Sequence, residues 1–110
     1  MRLFYDLDAG RPQEVLSSLR RRVSSFTRQG SVRKFKIGIT NNPERRYRQA
    51  YAKAYDEMLV LYKSSSIASV SELESELVHH NWDFCDNLVG GGGGGIGRTS
   101  PYFLYVVIKY

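Results

Sequence analysis

The segment KIGITNNPERR, residues 36–46, decides the fold, because it joins the end of a strand to the start of a helix. Apolar and polar residues alternate over residues 34–40, which predicts a strand with one buried face. Asn42 can cap a helix and Pro43 suits the first helical position, so a helix should begin at once. Gly38 lies on the polar face of the strand. A glycine there weakens a strand and indicates that another group approaches the backbone closely.

The rest of the chain predicts an α+β fold, with a small antiparallel β-sheet flanked by α-helices. Residues 1–110 are expected to form one domain, with a basic N-terminal helix over about 13–28 and a core over about 32–110. The helix after Pro43 should bury one stripe, formed by Tyr47, Ala50, Tyr51 and Ala54. Strands are predicted at the apolar runs 57–63 and 101–110, and a second core helix at residues 64–84.

The charge of the chain favours a polyanionic partner. Its 110 residues carry a formal net charge of +5, and clustered cations release counterions from phosphates when they bind them. There is no apolar run of membrane-spanning length and no signal-peptide pattern, so we expect an intracellular protein without a membrane partner. Cys85 has no partner for an intramolecular disulfide. The cations expected to contact nucleic acid are Arg20, Arg21, Arg22, Arg45 and Arg48.

Glu74 stands out among the acidic residues. At helical spacing it falls in the same sector as Val70, Leu73 and Leu77, whereas Glu72 points away. A buried carboxylate is costly unless it meets a cation or hydrogen-bond donors. One interpretation is a structural ion pair, and the other is a metal ligand or general base.

Lys36 and Arg46 are the cations expected to lie near Glu74, because both lean toward the same inner side from their own elements. Two cations and a carboxylate that can hold Mg²⁺ suit the handling of a phosphate.

The segment KIGITNNPERR resembles the second half of the signature of the GIY-YIG nuclease superfamily. In that family a Tyr-Ile/Val-Gly strand is followed by a threonine, then by a helix with an essential arginine. Lys36, Gly38, Thr40 and Arg46 occupy those positions here, with lysine in place of the tyrosine. The segment ESELV, residues 74–78, is similar to the family's glutamate helix.

In the family an asparagine usually follows the glutamate helix, and Asn87 lies within one residue of that spacing. The resemblance implies that Glu74 holds Mg²⁺ or Mn²⁺, that Arg46 stabilises charge on the phosphoryl oxygens, and that Gly38, Thr40 and Asn87 support the site.

The family's first strand, which carries a water-activating tyrosine, is not evident before residue 34. Two replacements are open. The N-terminal RLFYDL could supply Tyr5, or the C-terminal PYFLYVVIKY could close the sheet as a circular permutation and present Tyr102 or Tyr105. We favour the C-terminal strand with Tyr105, because it is the stronger strand pattern.

The expected activity is therefore metal-dependent endonucleolytic hydrolysis of phosphodiester bonds, with Lys36, Arg46, Glu74 and Tyr105 as catalytic residues. The expected substrate is DNA rather than RNA, and a second copy of the chain or another protein is a candidate source of specificity. Two alternatives stay open, namely a nucleic-acid-binding domain that does not cut and a protein-interaction domain that shares only the fold.

Overall fold

The computed structural model describes residues 3–81 and 99–110, and the α+β prediction is confirmed. Asn87 and the glycine run at residues 90–95 lie outside the described residues. The elements follow one another as β1 (Leu3–Asp8), α1 (Pro12–Thr27), β2 (Lys34–Thr40), α2 (Pro43–Arg46), a π-helical turn (Tyr47–Tyr51), β3 (Glu57–Ser64), α3 (Ile67–His80) and β4 (Tyr102–Lys109).

The four strands form one sheet in the order β1-β3-β4-β2. The last strand in the chain, β4, therefore lies in the middle and pairs antiparallel with both β2 and β3. The pairing of β1 with β3 is parallel, so the predicted antiparallel sheet has one parallel strand pair. Parallel strands need a long connection. Here α1, β2 and α2 lie between β1 and β3 in the chain, which is long enough for β3 to run in the same direction as β1.

The two faces of the sheet have different coverings. One face, which we call the helix face, packs against α1 and α3 through Leu19, Val23, Leu73 and other apolar side chains. The other face, which we call the tyrosine face, packs against the segment after α2. Its buried cluster consists of Tyr47, Tyr51, Tyr55, Met58, Val60, Tyr105 and Val107.

The local predictions for β2 and α2 are confirmed. Phe35 and Ile37 are buried on the helix face, which leaves the alternate residues of β2 for the tyrosine face. Asn42 caps α2, since its Oδ1 accepts a hydrogen bond from the Arg45 backbone N–H at 3.1 Å, and Pro43 follows it. The strand therefore turns directly into a helix, as its sequence indicates.

The predicted buried stripe after Pro43 is wrong in part. Tyr47 and Tyr51 are buried, but Ala50 and Ala54 are exposed. The reason is that residues 47–51 form a π-helical turn rather than an α-helix. A π-helix closes i→i+5 hydrogen bonds, and the Ala52 N–H donates accordingly to the Tyr47 carbonyl at 2.7 Å. The wider turn changes which side chains share a face.

Among residues 3–81 and 99–110, no helix is both long and apolar enough to cross a membrane.

Candidate functional site

The site is built on the contact between β2 and β4. Gly38 lies directly opposite Tyr105 in the register of these two strands, and the Tyr105 ring covers the Gly38 backbone. A Cβ added at Gly38 would lie 2.5 Å from Tyr105 Cζ and closer still to the hydroxyl oxygen. The group whose approach the sequence indicated at Gly38 is therefore the side chain of Tyr105.

The Tyr105 hydroxyl is the centre of the site. Tyr105 is fully buried, and its hydroxyl shares a hydrogen bond with the Tyr51 hydroxyl at 2.7 Å. Burial raises the pKa of Tyr105 well above its usual value, and Tyr51 and Glu74 raise that pKa further, whereas Arg46 lowers it. Arg46 and Glu74 thus act electrostatically on one hydroxyl, although they belong to different helices.

The start of α2 fixes the position of Arg46. The Thr40 hydroxyl accepts a hydrogen bond from the Asn42 N–H at 3.2 Å, and the Asn42 carbonyl accepts one from the Arg46 N–H at 3.0 Å. Arg46 is the last residue of α2, and the π-helical turn begins after it. π-Helical turns within helices occur frequently at functional sites.

A polar cavity of about 230 Å³ opens beside this turn, lined by Thr40, Arg45, Arg46 and Gln49. Arg45 is exposed and Arg46 is half-buried. Two guanidinium groups, a hydroxyl and an amide make a donor-rich lining that suits a phosphate group.

Lys36 lies on the same face of β2 as Gly38. Its Nζ is 5.9 Å from the centroid of the Tyr51 ring, and the side chain is half-buried. An ammonium at this distance from a ring face is attracted to it. Lys36 is therefore placed over the ring of Tyr51, as a cation that can also contact an anionic ligand.

Glu74 lies on α3, where Val70, Leu73 and Leu77 are buried and Glu74 itself is half-buried. In the parts of the chain that the structure describes, no three His, Cys, Asp or Glu side chains converge on a metal position. A single carboxylate still fits Mg²⁺, because this ion is often bound by one or two carboxylates with substrate phosphates and water. Of the predicted residues, Glu74 is the one that would hold the metal.

The predicted nucleic-acid-binding arginines lie in two places. Arg45 and Arg48 are exposed next to the site, on α2 and the π-helical turn. Arg20, Arg21 and Arg22 lie on α1 and do not line the cavity beside Arg46.

Arg20 and Arg21 line a second cavity of about 730 Å³, together with His80 and serines of α1. Arg20 also forms an ion pair with Glu76 at 3.3 Å. Arg22 is 18% exposed and forms ion pairs with Asp6 and Asp8 at 3.0 and 3.2 Å. Arg22 thus links α1 to β1, whereas Arg21 is exposed on α1.

Tyr51 is a site residue that the sequence analysis assigned only to the core. It is buried, as predicted, but its hydroxyl is also the hydrogen-bond partner of Tyr105. The available signal was the spacing of Tyr47, Tyr51 and Tyr55, which recur every four residues. That spacing lies between the α-helical period of 3.6 and the wider π-helical turn.

The other two candidate tyrosines occupy different environments. Tyr5 is 53% exposed on β1, which is an edge strand separated from β2 by two others. Tyr102 is buried with the apolar cluster on the helix face. Only Tyr105, among these three, faces Gly38.

Comparison with known proteins gives one finding about the family. Neither the curated proteins nor the solved structures contain a match to the chain. A family model, described as the T5orf172 domain, matches residues 21–87. This domain is associated with endonuclease-related proteins of GIY-YIG-like and HNH-like types, and there is no direct match to a GIY-YIG family model. The matched segment spans β2, α2, β3 and α3 and covers more than half of the 110 residues. The chain therefore belongs to the T5orf172 domain family.

Proposed function

We propose that this protein is a metal-dependent endonuclease that hydrolyses phosphodiester bonds in DNA by GIY-YIG-type chemistry. The observation that carries the proposal is the environment of the Tyr105 hydroxyl. It lies over Gly38 of the KIG segment, and both Arg46 and Glu74 act on it electrostatically. A tyrosine whose pKa responds to one arginine and one glutamate combines the three types of side chain that the resemblance implies. The family match supports a nuclease-like or DNA-related role.

The proposal includes a permuted order of strands. In this interpretation β4 replaces the missing first strand of the signature, because it pairs antiparallel with the KIG strand and carries Tyr105 opposite Gly38. Only the connectivity differs, since a strand can occupy the same position in a sheet whether it is reached early or late in the chain.

The proposed chemistry divides the work among four side chains. The cavity beside Arg46 would receive the scissile phosphate, and the guanidinium would stabilise charge developing on its non-bridging oxygens. Glu74 would hold Mg²⁺ or Mn²⁺, which supplies charge neutralisation at the phosphate and at the leaving 3′-oxygen. Lys36 and Tyr105 would orient the attacking water. The products would carry a 5′-phosphate and a 3′-hydroxyl.

The raised pKa of Tyr105 restricts its role in this mechanism. A tyrosine hydroxyl is protonated near neutral pH at its ordinary pKa of 10.0, and burial raises the pKa of Tyr105 further. Tyr105 would therefore act as a hydrogen-bonding group that positions water, together with Tyr51. Removal of the water proton would then be assigned to a group other than Tyr105.

The direct test is a nicking assay on supercoiled plasmid and on single-stranded DNA, with Mg²⁺, Mn²⁺ or chelator present. Wild-type protein should cut only with a metal ion. Arg46→Ala and Glu74→Gln should each lower the cutting rate by at least about 100-fold, since each removes a preorganised charge at the reacting phosphate.

Glu72→Gln is the matched control for Glu74→Gln, because it makes the same chemical change on the same helix at an exposed position. It should cut at the wild-type rate. The catalytic assignment would be wrong if the wild-type protein did not cut, or if Arg46→Ala and Glu74→Gln cut as fast as Glu72→Gln.

One observation favours a second candidate function, a nucleic-acid-binding domain that does not cut. Tyr105 is fully buried, and a group that orients attacking water must reach that water. Under this alternative the arginines beside the cavity bind the phosphate backbone, and affinity falls steeply with salt. Binding without metal-dependent cutting would support it.

A further inference from the structure

Two aromatic side chains meet at the end of the tyrosine face and have no part in the proposed phosphodiester chemistry. Tyr5 of β1 packs edge-to-face on Phe103 of β4, with ring centroids 6.3 Å apart and planes at 77°. Phe103 is partly buried against the tyrosine-face cluster, whereas Tyr5 is 53% exposed. Tyrosine is enriched at binding interfaces, because its ring is apolar and its hydroxyl end is polar.

The aromatic pair lies next to the phosphate cavity. Phe103 is directly opposite Thr40 in the register of β4 and β2, and Thr40 lines the cavity with Arg45 and Arg46. The charge of Glu44, in the first turn of α2, also acts on the Tyr5 hydroxyl. Burial raises the pKa of the Tyr5 hydroxyl, and the negative charge of Glu44 raises it further.

A lysine of β3 lies beside Phe103, on the side away from β2. Lys63 is directly opposite Phe103 in the register of β3 and β4, and its Nζ lies 5.9 Å from the ring centroid. The ring thus sits between an exposed lysine and the arginines beside Thr40. Aromatic faces flanked by cations are the elements with which proteins bind single-stranded nucleic acid, because bases stack on the rings while the cations track the backbone.

We propose that the exposed ring of Tyr5, supported edge-to-face by Phe103, forms a stacking platform for an unpaired nucleobase, on the strand whose phosphate lies at Thr40, Arg45 and Arg46. This inference rests on the proposed function and adds a substrate class to it. The preferred substrate is single-stranded or locally unpaired, because a base inside a duplex has no free face to stack on. Both β1 and β4 lie outside the matched residues 21–87, so the platform belongs to this chain and not to the matched segment.

The test measures binding without cutting, by fluorescence anisotropy of a labelled oligothymidine and of a hairpin duplex in the presence of chelator. Tyr5→Ala should weaken binding of the single strand at least about fivefold, and should leave duplex binding unchanged. The slope of log affinity against log salt should stay at the wild-type value, because a stacked ring releases no counterions.

Two further variants separate stacking from other roles of Tyr5. Tyr5→Phe keeps the ring and removes the hydroxyl, so it should bind the single strand as the wild type does. Phe4→Ala is the matched control, since Phe4 is 46% exposed and the alternation of β1 points it to the opposite face. Phe4→Ala should bind the single strand with the wild-type affinity. Thermal unfolding of each variant verifies that the fold is kept.

Two results would overturn the platform. The first is wild-type single-strand affinity in Tyr5→Ala. The second is an equal loss in Tyr5→Ala and Tyr5→Phe, which would assign the effect to the hydroxyl. In either case the proposed function stands if the wild type still cuts with metal ions. A wild-type protein with no salt-sensitive nucleic-acid affinity would instead remove the proposed function, and the platform with it.

Discussion

The Tyr105 ring lies against the backbone of Gly38, and this contact exists only because glycine has no Cβ. The same contact brings the Tyr105 hydroxyl to Tyr51 and into the fields of Arg46 and Glu74. Gly38 also allows tight packing, because the Tyr105 ring fills the space that a side chain at position 38 would occupy.

Gly38→Ala tests this contact. The added methyl group must displace the buried Tyr105 ring, and overpacking of this kind costs about 1–3 kcal/mol of unfolding free energy. Chemical denaturation should therefore show that loss. Gly30→Ala is the control, since nothing lies within 4 Å of a Cβ placed there. Equal stability of the two variants would contradict the described packing.

Tyr105→Phe tests the raised pKa through the pH dependence of stability. The folded protein retains the Tyr105 proton at pH values where the unfolded chain, with its ordinary pKa of 10.0, releases it. The contribution of Tyr105 to the unfolding free energy is therefore complete below pH 10 and is lost as the pH rises further.

In Tyr105→Phe the unfolding free energy should fall less steeply above pH 10 than in the wild type. The two slopes should differ by up to about 1.4 kcal/mol per pH unit. Urea denaturation of both proteins between about pH 9 and 11 measures the two slopes. If the unfolding free energy fell equally steeply with pH in both proteins, the Tyr105 hydroxyl would have to be accessible to water in the folded state.

At the scale of elements, helix α1 combines two kinds of arginine. Arg22 donates a hydrogen bond to the Asp6 carbonyl at 2.6 Å and forms ion pairs with Asp6 and Asp8. It therefore ties α1 to β1. Arg21, one position earlier, is exposed. The run RRR predicts a basic helix, but the sequence does not distinguish these roles, because both depend on where β1 lies.

Exchanging each arginine for alanine should separate stability from binding. Arg22→Ala should lower the unfolding free energy by about 1 kcal/mol and the Tm by about 4–8 °C, since the hydrogen bond and the ion pairs to β1 are lost. Arg21→Ala should change the unfolding free energy by less than about 0.5 kcal/mol. It should instead weaken DNA binding and reduce the salt slope by about one.

Thermal unfolding and a salt titration of DNA affinity, each on both variants, check these expectations. A large drop in Tm for Arg21→Ala, or none for Arg22→Ala, would contradict the assignment of roles on α1.

At the π-helical turn, a prediction of burial from α-helical periodicity fails in part. The sequence predicts that a helix follows Pro43, and it predicts the burial of Tyr47 and Tyr51 correctly. It does not predict the exposure of Ala50 and Ala54, because the apolar pattern after Pro43 predicts an α-helical period and residues 47–51 do not follow it. The wider turn is adopted where two bulky tyrosines both pack on the sheet, which is a tertiary effect that local patterns do not contain.

At the scale of the whole molecule, the sequence predicts the types of element better than their arrangement. The α+β class and strands β2, β3 and β4 follow from apolar patterns. The parallel position of β1 beside β3 does not, since an isolated strand pattern contains no information about its neighbour. The favoured role of β4 follows from the resemblance, which requires a strand beside KIG, and from the strand pattern at residues 101–110, which is stronger than that of the N-terminal segment.

The central position of β4 has a consequence for how the protein is made. A ribosome synthesises β2 and β3 first, and neither can complete its ladder until residues 102–109 have emerged. Sheet assembly must therefore wait until β4 has been synthesised. A chain terminated before residue 102 lacks the strand that joins β2 to β3, and it also lacks Tyr105. Premature termination should thus yield a product in which β2 is not joined to the sheet and the site is not assembled.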